Sequence, residues 1–146
     1  MRHLLPLALI ATLLVAAPTA QARDSRLHLD VATAIAAGEA DGTLDGTVRF
    51  HFRGAPALSV VNRHGPATTN RKTNALNKSD EEACRWVMLS ALVALQQAAK
   101  DRGANAVVDI VSDYKGREFA SATQYECGAG TLMAGVALKG VYASVR

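Results

Sequence analysis

This chain has few aromatic residues, few cysteines and no concentration of charge. Only seven of its 146 residues are Phe, Trp or Tyr, and one is a tryptophan; that is too few for a platform on which bases or sugar rings stack. The formal charge of +3 is scattered rather than gathered into an arm or stripe, which argues against nucleic acid as a partner. No GxxxxGK[ST] phosphate loop occurs, and the glycine-rich GAGTLMAG at 128–135 lacks the lysine and hydroxyl such a loop needs. No GxSxG nucleophile elbow is present. The two cysteines, Cys84 and Cys127, lack both zinc-site and C-x-x-C spacing.

What the chain does have is an address. Arg2 and His3 lead into an apolar run from Leu4 to Ala17 and then a small-residue exit with Ala20 and Ala22 around Gln21, the pattern of a cleavable export signal. Residues 1–22 are therefore expected to be removed, leaving a periplasmic or secreted protein, 23–146, with no stable membrane insertion. Without Arg2 the charge falls to +2, and about 124 residues remain, a common size for one domain. In an oxidising compartment an even pair of cysteines reads first as one disulfide, ahead of two buried thiols or a redox pair. Such a bridge would close a loop of about 44 residues, for which loop entropy gives roughly 4 kcal/mol.

Residues 30–37, DVATAIAA, predict a short helix with Asp30 as cap, Gly38 as stop, and Val31, Ala34, Ile35 and Ala37 toward a core. TVRFHFRG predicts a strand alternating Val48, Phe50 and Phe52 with Arg49, His51 and Arg53. Ala57 to Val61 is a further strand candidate. From Asn62 to Lys78 apolar residues almost vanish, predicting a polar surface loop, 62–78, that carries Arg63, His64, Arg71, Lys72 and Lys78. These five residues are the candidate partner-binding set.

Ser79 followed by Asp80, Glu81 and Glu82 is a capping-box signature with acidic groups at the positive helix end. A long helix is expected from there to Asp101 or Arg102, stopped by Gly103, with Cys84, Met88, Ala91, Leu95 and Ala98 on one face. AVVDIVS predicts a strand with Val108 and Ile110 on one face and Val107, Asp109 and Val111 on the other. Arg117 to Cys127 predicts a long strand that places Phe119, Tyr125 and Cys127 together. A last strand, Leu132 to Val145, aligns Ala134, Val136, Leu138 and Tyr142. Met88, Leu95, Val108, Ile110, Val136 and Leu138 are the expected core, and Trp86 is expected at or beside it. The fold class is α/β (α+β): one disulfide-stapled domain with a mostly antiparallel sheet packed by one long helix.

DEEAC at the helix start, GANAVVDIVSDYK after it and YECGAGTLMAGVALKG at the end resemble small exported bacterial envelope proteins with an RcsF/YbjQ-like α/β pattern, several of them labelled as excinuclease subunits. The resemblance implies a sheet packed by one principal helix, with Cys84 and Cys127 in helix-to-strand disulfide positions, and it carries over no catalytic centre. The lipidated cysteine and second cysteine pair of the outer-membrane stress sensor are missing here.

No catalytic, metal or cofactor site is expected. His28, His51 and His64 share no ligand spacing. A hydrolase built from Ser59 or Ser121 with His51 and Asp109 has no motif behind it. The expectation is a non-enzymatic protein-binding or envelope-regulatory module whose basic segment contacts an envelope protein or polymer. The competing class is a structural or stress-tolerance protein without a specific ligand.

Overall fold

A computed structural model describes residues 23–146, so the export-signal reading of residues 1–22 lies outside the described residues. The chain order is β1 (Asp24–Asp30), α1 (Val31–Asp41), β2 (Arg49–Phe52), β3 (Val60–Asn74), α2 (Asp80–Asp101), β4 (Ala106–Ser112), a single 3-10 turn at Tyr114–Gly116, β5 (Gln124–Gly130) and β6 (Met133–Val145). This is a mixed α/β fold in which a mostly antiparallel sheet packs against one long helix.

Strand β6 is the hub of the sheet. Its whole length pairs with β3, from Asn74 opposite Met133 to Val60 opposite Val145. Each strand has only two edges, so β5 and β4 must divide the other one: β5 pairs at Ala134 and Gly135, and β4 pairs from Leu138 to Ala143. β1 extends the β5 side antiparallel, and β2 extends the β4 side in parallel.

Helix α2 begins where its cap chemistry places it, with the Ser79 hydroxyl accepting the Glu82 N–H at 3.1 Å. It buries Cys84, Val87, Met88, Ala91, Leu92 and Leu95 against the sheet. From the opposite side β5 presents Tyr125, Cys127 and Ala129, all fully buried. The two periodicities meet in the Cys84–Cys127 disulfide, with Cα atoms 5.9 Å apart. Beside it the Tyr125 hydroxyl donates to the Cys84 carbonyl at 3.4 Å, and burial pushes the phenol pKa up. Met88, Leu95, Ile110, Val136 and Leu138 share the main core, while Val108 belongs to a small second cluster with Ala106, Ala143 and Val145.

The structure departs from the sequence reading in several places. Residues 24–30, for which no element is expected, form β1, in which Leu27 and Leu29 pack on the core. Helix α1 passes through Gly38 and stops at Gly42, whose φ of 80° suits glycine. Gly38 is instead buried by close packing: a Cβ there would sit 2.5 Å from Leu89 Cδ1. Ala37 points to solvent. The expected loop 62–78 is mostly β3, because hydrogen bonds to β6 hold it, and these do not require apolar side chains. Val108 and Ile110 lie on different faces because Asp109, at φ 57°, opens a bulge between them. Only residues 124–127 of the expected 117–127 strand enter the sheet, as the first part of β5 (Gln124–Gly130). Residues 117–123 touch it through a single bridge, Ser112 to Phe119. Gly128, Ala129 and Gly130, beyond the expected strand end, complete β5. Trp86 is 63% exposed, on the side of α2 away from the sheet.

Candidate functional site

The longest strand is also an edge strand. Among the described residues β3 pairs with β6 alone, so its other edge offers free backbone groups along most of its 15 residues. The ladder shifts register twice between Val60 and Pro66, then runs without interruption from Pro66 to Asn74. Ala75 N–H donates to the Leu132 carbonyl at 2.8 Å. Antiparallel alternation carried back from that bond turns the N–H and C=O of Asn74, Lys72, Asn70 and Thr68 away from β6. The uninterrupted half of β3 therefore presents a regular row of donors and acceptors away from β6, in which the Asn74 carbonyl is taken by the Lys78 ammonium.

The five basic candidates do not converge on one patch. Arg71 pairs across to Val136, on the face toward α2, whereas Lys72 pairs to Gly135 on the opposite face. Both are exposed and flank the free edge from above and below. Arg63 lies about 30 Å from Lys72 at roughly 3.3 Å per residue. His64 is half-buried, with Nε2 2.8 Å from the Ser144 hydroxyl. The Lys78 ammonium donates to the Asn74 carbonyl at 3.3 Å. Extension of the segment as a strand separates what a loop would have gathered.

The opposite face of the sheet holds a polar cluster that the sequence reading missed. Glu126 has only 8% side-chain exposure; Arg26 donates to its Oε1 at 2.9 Å, and His28 Nε2 lies 3.1 Å from Oε2. Phe119 stacks on His28. Tyr114 covers the cross-strand pair Gly128 and Gly135, where a Cβ would collide with its ring. The available signal was the alternation of Arg26 and His28 with Leu27 and Leu29. Among the described residues no buried side-chain polar atom lacks a hydrogen-bond partner, and with both Glu126 oxygens taken by Arg26 and His28 the cluster reads as a fastening between β1, β5 and the 113–123 segment.

A second network surrounds the β4 bulge. Arg53 makes a two-pronged contact with Asp109, at 2.8 and 3.2 Å, and reaches Glu118 at 2.6 Å. Lys139 joins Glu118 and Asp113. The Arg53 hydrogen bonds hold the Asp109 carboxyl below its ordinary range, and Lys139 does the same for Glu118. His51 supports the bulge from below: its Nδ1 accepts the Asp109 N–H at 3.2 Å and its Nε2 donates to the Ala55 carbonyl at 3.2 Å. Both ring nitrogens face backbone, so His51 is not joined to Ser59 or Ser121. The Ser121 hydroxyl accepts from Thr123 and Gln124 N–H groups.

His28, His51 and His64 occupy separate surroundings, and among the described residues no three His, Cys, Asp or Glu side chains converge as metal ligands. Among the same residues no helix is long and apolar enough to cross a membrane. Compared with protein-family models, curated proteins and solved structures, the chain matches none.

Proposed function

We propose that this chain is an exported, non-enzymatic protein-binding module that recruits an extended, acidic segment of an envelope protein onto the free edge of β3. The observation that carries the reading is the single-sided pairing of β3 over Pro66–Asn74. Strand addition to such an edge draws affinity from main-chain hydrogen bonds and selectivity from flanking side chains. Arg71 and Lys72, one on each face, supply that selectivity for acidic residues at adjacent positions of the incoming strand, which likewise point to opposite faces. The Cys84–Cys127 bridge supports an oxidising compartment and holds α2 beneath the sheet. The resemblance to small exported envelope proteins points the same way.

The test is capture from a cell-envelope extract by wild-type protein and by two variants at equal salt. Asn70→Pro removes one outward N–H while leaving the β6 ladder bonds in place. Arg71→Ala/Lys72→Ala removes the flanking charge. A partner held by wild type and lost from both folded variants supports strand addition. Retention of the same partner by Asn70→Pro excludes it.

A further inference from the structure

A cavity of about 500 Å³ opens between α1 and α2, on the side of α2 away from the sheet. Its walls are Ala34, Ala37, Leu89 and the exposed Trp86. Gly38 meets Leu89, and farther along Gln96 reaches the Asp45 N–H, so the two helices advance in the same direction. Arg85 accordingly lies at the Ala34 end, while Asp41 and Thr43 lie about 10 Å farther on at 1.5 Å per residue.

The polar groups around this groove are unequal. Helical walls keep their backbone donors and acceptors within the helices, so they offer nothing to the amides of a peptide. The Asp41 carboxylate accepts both the N–H and the hydroxyl of Thr43, at 2.9 and 2.6 Å. Arg85 makes no ion pair with any of the described residues. The groove thus has Arg85 at one end, where Asp30 and Glu81 line the adjoining hollow with it, an apolar floor, and the Asp41 carboxylate at the other end. That arrangement complements a molecule with a single anionic head and an apolar tail, and the volume falls within the range of small-molecule sites.

We propose that the α1–α2 groove binds an amphipathic carboxylate of the medium-chain fatty-acid type, its head on Arg85 and its tail along Trp86, Leu89 and Ala37. Asp41 repels a carboxylate at the far end and so sets the direction of the bound chain. This site is separate from β3, and its occupancy does not depend on the strand-addition reading.

Trp86 is the only tryptophan of the chain, so its emission reports on the groove directly. The disulfide-bonded protein is titrated with decanoate below its micelle concentration, with calorimetry supplying the affinity. The expected result is a saturable change in Trp86 emission. Arg85→Gln should weaken binding by about tenfold or more, the usual effect of losing a charged hydrogen bond. Ala37→Glu, at an exposed helical position, should abolish binding while the circular dichroism remains that of wild type. Decyltrimethylammonium should bind much more weakly than decanoate. The proposal is overturned by a titration without saturation, by equal affinity for the two head groups, or by an unchanged affinity in folded Arg85→Gln protein.

Discussion

The imidazole of His28 lies flat on the ring of Phe119, with centroids 4.1 Å apart and planes within 6°. The contact joins the first strand to the irregular segment after β4, and His28, together with Arg26, also binds the Glu126 carboxylate. A carboxylate this enclosed depends on those partners, because an uncompensated buried charge costs more than the pair contributes. Arg26→Met is therefore expected to lower unfolding free energy by about 1–3 kcal/mol, read from urea denaturation. The double variant Arg26→Met/Glu126→Met should recover part of that loss; a double variant that falls by the sum of both single losses would contradict the account.

The disulfide makes a paired prediction. Cys84→Ala and Cys127→Ala remove the same bridge and should lower stability by similar amounts, about 2–5 kcal/mol. Indistinguishable denaturation of oxidised and reduced wild-type protein would show that the bridge adds nothing.

Two positions on α2, one facing the sheet and one facing away, should differ sharply. Leu95→Ala opens space in a fully buried position and is expected to cost about 2–5 kcal/mol. Trp86→Ala, outside that core, should change stability by about 0.5 kcal/mol or less. Comparable losses at the two positions, measured side by side, would place the tryptophan within the packed core after all.

At Gly38 local propensity and packing pull in opposite directions. Alanine favours a helix interior by about 0.5–1 kcal/mol, yet its methyl would press on Leu89 and Leu44. Overpacking of this kind costs about 1–3 kcal/mol, so Gly38→Ala should be destabilising on balance. A raised melting temperature would mean that α1 moves freely from α2.

The network around Asp109 predicts acid sensitivity. The Asp109 and Glu118 carboxyls titrate below their ordinary values of 3.8 and 4.5 in the folded protein. Unfolded chains therefore bind protons first as pH falls. The stabilisation is complete above those ordinary values and is lost as pH drops through the lower folded ones. Urea midpoints followed from neutrality to about pH 3 should decline less steeply in Arg53→Gln protein, and high salt should flatten the wild-type curve. An identical slope in the variant would remove Arg53 as the cause. These groups are exposed, so the effect is a change of slope and not a collapse.

Local information was enough for the elements whose hydrogen bonds are local. Helix α2 could be bounded from Ser79 and Gly103 because caps and i to i+4 bonds lie within a few residues of each other. Its apolar face, together with the alternation in β5, placed Cys84 and Cys127 on surfaces that meet. Through β2 and the Val48 that precedes it, the alternation of Val48, Phe50 and Phe52 with polar residues was likewise readable. Among the binding candidates the residues could be named, but their arrangement could not be read.

Tertiary structure alone decided what depends on a distant partner. Asn62 to Asn74 carries hardly any apolar residue, and it becomes a strand only because β6, some 70 residues later, offers a complete edge. That pairing sends Arg71 and Lys72 to opposite faces. The bulge at Asp109, which parts Val108 from Ile110, rests on a nitrogen of His51, 58 residues away. Trp86 stays in solvent because α1 leaves a groove beside it instead of a lid. Helical order is written in neighbouring residues, whereas membership of a sheet, its faces and its open edge come from contacts that exist only once the chain has closed on itself.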